Sequence, residues 1–182
     1  VLGALRMFCS ARFLTVGPGL KSGIKLRLDN PAQLGAELLC GAVAALEEGP
    51  GPLAVISADT AISIMAVNGK QELVGGVILP GPQLSLSALV QKTAQRPQID
   101  LSAPSSSSIL GKNTSACLQN GFVLGTAGLL DGLAERFQAE LGPDIRFYAT
   151  GNLPRTIREA CRTPIEYREY LITDGLYRIW QK

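Results

Sequence analysis

Three apolar runs stand almost back to back near the middle of the chain, residues 53–57, 62–67 and 72–79. The second and third are joined across Asn68 and Gly69, a dipeptide that accepts the positive φ angles of a tight hairpin. Strands this close in sequence read as a meander. The pattern then changes. Helices are expected at 84–94 and 115–141, a short strand at 145–149, and helices near 154–161 and 174–180. A three-strand meander followed by alternating helices and strands predicts an α/β layer structure with a mixed sheet flanked by helices.

Punctuating residues set the boundaries. Asn30 reads as a helix N-cap, with Pro31 at the first helical position and Gln33 three residues after the cap. Leu34, Leu38, Ala42, Ala45 and Leu46 follow at helical spacing, until Gly49, Pro50, Gly51 and Pro52 end the run. Pro80, Gly81 and Pro82 stop the third strand. Residues 12–15 read as a short strand and 17–19 as a turn. The proline- and serine-bearing stretch 96–108 reads as a solvated loop. The chain does not begin with methionine. Residues 1–28 read as the remnant of a preceding N-terminal domain or arm, ahead of one domain at 29–182. A truncated, a processed and an incompletely represented chain all fit that reading.

At 182 residues and 46% hydrophobic, the chain is long enough to bury one real core. A net charge of +2, with arginines and lysines scattered and no aromatics between them, argues against nucleic acid. No apolar run reaches the length of a membrane span. There is no histidine. That removes Ser–His–Asp and Cys–His relays and imidazole metal sites within the chain, and leaves acid–base work to a carboxylate, lysine, tyrosine or thiol. Cys9, Cys40, Cys117 and Cys161 form no CxxC pair. They read as buried reduced thiols, Cys40 and Cys117 in apolar helical contexts, suiting a reducing cytoplasm. No GxxxxGK[ST] and no helix-opening GxGxxG is present, so P-loop and Rossmann readings lose their anchor.

Three segments say more. Asn30 and Pro31 precede Gly35, Ala36 and Glu37; Gly75, Gly76, Pro80 and Gly81 lie in GGVILPG; residues 111–114 read GKNT. In this order and at these spacings they resemble the C-terminal half of the type III pantothenate kinases, from Lys21 to Lys182. The resemblance implies a ribonuclease-H-like half-domain of the acetate-and-sugar-kinase type, within the actin-like ATPase superfamily. It implies ATP-dependent phosphorylation of pantothenate, a small-molecule substrate, in the first step of coenzyme A synthesis. ATP, Mg2+ and a monovalent cation, K+ or NH4+, are the implied cofactors. A homodimer, or a heterodimer with a pantothenate-kinase-like chain, is the implied assembly.

The implied site follows position by position. Residues 35–38 are similar to the family's G-A-D-R, which makes Glu37 the catalytic base beside Gly35 and Ala36 at the substrate, and puts Leu38 where an arginine contacts substrate. Leu28 stands where an aromatic lines the pantothenate pocket. Residues 57–62 resemble D-F-G-T-A-T, which places Asp59 and Thr60 at the phosphate turn, with Ser57 in place of the carboxylate near the metal. Asp59 replaces a glycine. Two like charges about 4 Å apart repel by about 4 kcal/mol at an effective dielectric of about 20, so Asp59 is either damage or a displaced metal ligand. Gly75, Gly76 and Gly81 are implied at the phosphates, Thr114 at the substrate, and Thr150 and Gly151, in place of T-G-G, at the nucleotide.

Each position also has a plain structural reading. Glu37 is a solvated helix carboxylate, Asp59 a turn residue, the glycines are architectural, and Asn113 or Thr114 caps a helix. The nucleotide-gripping half is not matched. The resemblance therefore implies an incomplete chain or one subunit of a heteromeric kinase. The alternative is a non-catalytic partner that stabilises or regulates an active kinase.

Overall fold

The computed structural model describes residues 2–11, 13–17, 19–92, 99–101 and 108–182. In chain order the elements are α1 (Leu2–Phe8), β1 (Lys25–Leu26), a 3-10 turn (Pro31–Gln33), α2 (Ala36–Glu47), β2 (Leu53–Ala58), β3 (Ala61–Val67), β4 (Glu72–Pro80), α3 (Pro82–Gln91), α4 (Thr114–Leu141), β5 (Arg146–Gly151), α5 (Arg155–Ala160), β6 (Ile165–Tyr167) and α6 (Leu171–Gln181). The strands form one six-stranded sheet in the order β1-β4-β3-β2-β5-β6. The meander β2–β3–β4 is antiparallel, while β1 joins β4 and β5 joins β2 and β6 in parallel. The mixed sheet expected from the sequence is therefore present.

Alternation along β2 divides the core. Ala54, Ile56 and Ala58 face a cluster built with Leu86 of α3, Val123, Ala127 and Leu130 of α4, and Ile157 of α5. Leu53 and Val55 face the other side, against Ala42 and Ala45 of α2 and Leu171 at the start of α6. Helix α2 is buried from Leu38 to Ala45, because it is covered by the sheet on one side and by α6 on the other. Leu14, Val16, Leu20, Ile24 and Leu26 pack on the same outer cluster as Leu39, Val43 and Ile179. Helix α4 buries Asn120, Val123, Ala127, Leu130, Asp131 and Ala134, a stripe at three- and four-residue spacing. Asn113 caps it by accepting from the Ala116 amide at 2.9 Å.

Several boundaries differ from expectation. Asn30 does cap, accepting from the Ala32 amide at 3.2 Å, but it caps only the 3-10 turn. Leu34 is extended, and α2 starts after Gly35, which has no side-chain cap to carry the first helix onward. β4 does end at Pro80, as expected, but α3 opens at Pro82, earlier than residue 84, because the missing N–H of a proline is no loss at a helix start. Residues 13–15 are not a strand; the parallel edge of β4 is taken by β1 instead. Most of the expected loop 96–108 lies outside the described residues. Leu101 within it is not solvated: it is 4% exposed, in the main core, with its carbonyl accepting from Thr156 Oγ1 at 2.6 Å. Cys40 is buried, which pushes its thiol up, and burial pushes Cys161 up to about 11, but Cys9 and Cys117 are exposed, against expectation.

The β3–β4 link is also not a two-residue turn. Asn68 Oδ1 accepts from the Lys70 and Glu72 amides at 2.9 and 3.0 Å, and the positive φ falls on Gln71, at 59°. Asn68 and Arg27 also donate to Glu72, holding its carboxyl below the usual range. A left-handed glutamine is strained. Gln71→Gly is expected to stabilise the fold by about 0.5–1 kcal/mol, the relief of that strain less the entropy of a glycine in the unfolded chain. A urea midpoint that moves up checks it; one that moves down contradicts it.

Candidate functional site

The strand order locates a crevice. From β2 the chain moves to β3 and β4 on one side of the sheet; from β5 it moves to β6 on the other. β2 and β5 are parallel neighbours, with Ala58 paired to Gly151 at their C-terminal ends. Ligands of open α/β sheets bind at such a switch point. The turn after β2 carries Asp59 and Thr60, both exposed. It is closed by the Asp59 amide donating to the Ala61 carbonyl at 2.9 Å.

Two glycines draw other segments onto this turn. The Gly81 amide donates to the Thr60 carbonyl at 2.8 Å, which brings the start of α3 alongside. A Cβ on Gly81 would strike the Asp59 carbonyl, and one on Gly151, whose φ is +82°, would strike the Ala58 carbonyl. The Asn152 amide donates to that same Ala58 carbonyl, and Asn152 Nδ2 donates to Asp59 Oδ1 at 3.0 Å. Asp59, Thr60, Gly81, Gly151 and Asn152 thus form one constellation at the sheet end. The first amides of α3 have no intrahelical acceptor and no side-chain cap, and a helix start is a place suited to negative charge.

The other expected positions fall elsewhere or play visible structural parts. Helix α2 leads directly into the start of β2, so its first turn lies toward the crevice end. Gly41 packs on Val55, and Glu37 sits about 6 Å nearer that end, one turn back along the helix. Gly35, Ala36 and Glu37 are exposed there, and Glu37 makes no hydrogen bond or ion pair among the described residues. Leu38 is 5% exposed, so it turns into the core. Thr150 is 1% exposed, with its hydroxyl directed to the Glu169 carbonyl at 3.4 Å. Gly75 and Gly76 pair with Ala66 and Met65, about 13 Å back along the meander from Pro80, and are not brought to the crevice.

Thr114 opens α4 and is exposed. This helix of 28 residues is about 42 Å long, whereas β5 spans about 20 Å, so its first turns overhang the sheet. Val123 is fully buried; Thr114 lies about 13 Å further out. The overhanging face leaves Gly121 and Gly125 exposed beside Leu124, Ile109 and Leu110.

The structure adds two residues that the sequence motifs do not mark, Asn152, bonded to Asp59, and Tyr167, bonded to the Gly151 carbonyl. Asn152 follows Gly151 directly, and that adjacency was the available signal. For Tyr167 there was none, because it arrives on a three-residue strand.

A family model described as "Type III pantothenate kinase" matches residues 2–136. The chain belongs to the type III pantothenate kinase family. Among curated relatives, a type III pantothenate kinase of Koribacter versatilis is 37% identical over 182 residues, covering 98% of this chain and 66% of the relative. Another, of Solibacter usitatus, is 36% identical over 167 residues, covering 92% and 63%. The chain thus spans somewhat less than two thirds of the length of these kinases. A solved structure described as a conserved Baf family transcriptional activator from Campylobacter jejuni superposes with a TM-score of 0.55 at 20% identity, over 85% of this chain and 68% of that one. At that identity the likeness concerns the fold alone. No helix among the described residues is long and apolar enough to cross a membrane.

Proposed function

We propose that this chain takes part in ATP-dependent phosphorylation of pantothenate, the first step of coenzyme A synthesis, as part of a longer kinase or as one subunit of an assembly. The carrying observation is the joining of Asp59, Thr60, Gly81, Gly151 and Asn152 at the β2–β5 switch point of a chain from this family. The strand order, with an antiparallel second strand in β4-β3-β2-β5-β6, supports a ribonuclease-H-like half-domain of the actin-like ATPase superfamily. In that reading residues 29–182 are the C-terminal kinase domain and residues 1–28 the end of what precedes it. The cytoplasm is the expected compartment.

The crevice residues fit a phosphate chain in part. The two glycines let the Gly81 and Gly151 segments close against the turn backbone where a Cβ would strike it, and the start of α3 beside them has no side-chain cap, a place suited to negative charge. Among the described residues no group of three or more metal-ligating side chains is present. Asp59 is the carboxylate at the turn. A hard cation such as Mg2+ is commonly held by one or two carboxylates plus substrate phosphates, and Asp59 suits that role. Such a cation offsets phosphate charge; K+ or NH4+ is expected by family.

Glu37, at the first turn of α2, is the carboxylate placed to accept or orient the hydroxyl proton of the substrate. The overhanging first turns of α4, with Gly121, Gly125, Ile109 and Leu110 exposed, are the surface we assign to pairing with a second kinase-like chain. That would place Thr114 at the join.

Transfer of the γ-phosphate to pantothenate, followed with labelled ATP, tests this reading. Glu37→Gln is expected to lower turnover about a hundredfold or more while leaving the fold intact. Undiminished turnover in that variant removes Glu37 from the chemistry. A second reading is favoured by two observations: Leu38 is buried, and Asp59 is tied to Asn152. In it the chain is a non-catalytic partner that stabilises an active kinase. It predicts full activity of the assembly with this chain's crevice empty of nucleotide.

A further inference from the structure

Tyr167 ends β6, next to Ala149 in the parallel β5–β6 pair. Its hydroxyl donates to the Gly151 carbonyl at 2.9 Å. The guanidinium carbon of Arg158, on α5, lies over its ring at 3.9 Å from the centroid. Among the described residues the Arg158 side chain has no ion pair or hydrogen bond, and its Nε is shielded from solvent without an acceptor. The ring face is what holds this cation, and a stack this close fixes the tilt of the ring as well as the arginine.

The consequence lies at the crevice. Gly151 stands at φ +82°, in the left-handed region, at the last register position of the β2–β5 pair, so the peptide that follows leaves the regular strand course. That peptide joins Gly151 to Asn152. Its carbonyl is held by Tyr167, its amide by the Ala58 carbonyl, and the Asn152 side chain by Asp59. One peptide plane is thus fixed from both sides. Rotating the carbonyl away from Tyr167 turns the Asn152 amide away from Ala58 and carries the Asp59 contact with it.

We propose that Tyr167 is the positioning residue for the Gly151–Asn152 turn, with Arg158 as its brace, and that it thereby sets the shape the crevice offers to a nucleoside triphosphate. The second half of this statement rests on the nucleotide reading proposed above; the first half does not. Tyr167 touches no reacting atom in this account and acts through Gly151. The ligand chemistry it serves is that of the polyphosphate and its cation, which meet the Asp59 and Asn152 side chains at that turn.

The test is Tyr167→Phe, which removes the hydroxyl and keeps the ring under Arg158. Hydrogen exchange of the Asn152 amide, without ligand, is expected to speed up about fivefold, the worth of one hydrogen bond, while the Gly81 amide across the crevice stays unchanged. Mg-ATP is then titrated into the wild type and the variant in the same assembly. Its apparent Kd is expected to rise about fivefold, with the KM for pantothenate and kcat unmoved. Unchanged exchange at Asn152 overturns the proposal, whatever the nucleotide does. A faster exchange with unchanged Mg-ATP affinity overturns its second half. If the wild type itself takes up no Mg-ATP at saturating concentration, the nucleotide reading fails and the exchange result alone decides the positioning role.

Discussion

Gly175→Ala is expected to cost the fold about 3 kcal/mol. Helix α6 turns Leu171, Gly175 and Ile179 inward at four-residue spacing, against the outer face of α2. Gly175 is the middle of that stripe. A Cβ built there would strike the Cys40 carbonyl, and the next nearest atoms are also Cys40 backbone. Backbone cannot swing aside as a side chain can. The two helices must separate or rotate, which loosens Leu171 and Ile179 and uncovers the face of α2 that Leu39, Cys40 and Val43 bury.

Overpacking of this kind costs about 1–3 kcal/mol and sometimes more. Alanine returns about 1 kcal/mol through its better helix propensity, so the steric part must exceed the net figure. For a domain of this size about 3 kcal/mol lowers Tm by about 6–12 °C. A thermal melt checks it. An unchanged or raised Tm would mean that α2 and α6 do not approach this closely.

The second large effect is expected at Asp131. This residue of α4 is 3% exposed, yet it carries a carboxylate. The Arg162 amide donates to both its oxygens at 3.0 Å, the Thr163 amide to Oδ1 at 2.9 Å, and Arg162 Nε to Oδ2 at 3.3 Å. These bonds pin the link between α5 and β6 onto α4. Burial pushes the carboxyl up, but the hydrogen bonds from Arg162 and Thr163 outweigh it and hold it below its usual range. Asp131→Ala strands two amides in a half-buried loop and is expected to cost about 3 kcal/mol.

The pH dependence has a definite sign. The folded carboxyl ionises below its unfolded value of about 3.9, so its contribution is complete above that pH and is lost as the pH falls through the folded value. The gap in unfolding free energy between wild type and Asp131→Ala should therefore shrink below about pH 4. Urea unfolding at several pH values measures it. A gap that stays constant into acid would show that the carboxylate charge is not what holds the link.

These two positions mark what the sequence does and does not disclose. The meander was legible because β2, β3 and β4 are consecutive and their alternation is local. Helix α4 was legible because Asn113 caps it and its buried stripe is periodic. β1 and β6, two and three residues long, exist through their pairing with β4 and β5 and have no periodicity of their own. The start of α6 at Leu171 has no side-chain cap to announce it. Asp131 reads in the sequence as one more helix carboxylate, because its partners lie 31 and 32 residues away.

The candidate site divides the same way. Gly81 and Gly151 could be marked because close backbone approach requires glycine. The fastening of Asp59 to Asn152 spans 93 residues and belongs to tertiary structure alone. Leu38 shows the converse. In sequence it reads as a lost cation, and in the fold it is a buried core residue.

The measurement that bears most directly on the central claim is hydrogen exchange across the chain with and without Mg-ATP, on the protein together with whatever chain it assembles with. Slower exchange is expected at the amides of residues 59–60, 83–84 and 151–152, with little change along α4 beyond Val123. Exchange that is unaltered at those three segments while the assembly holds nucleotide would contradict it, and would leave the crevice at the β2–β5 switch point without a ligand.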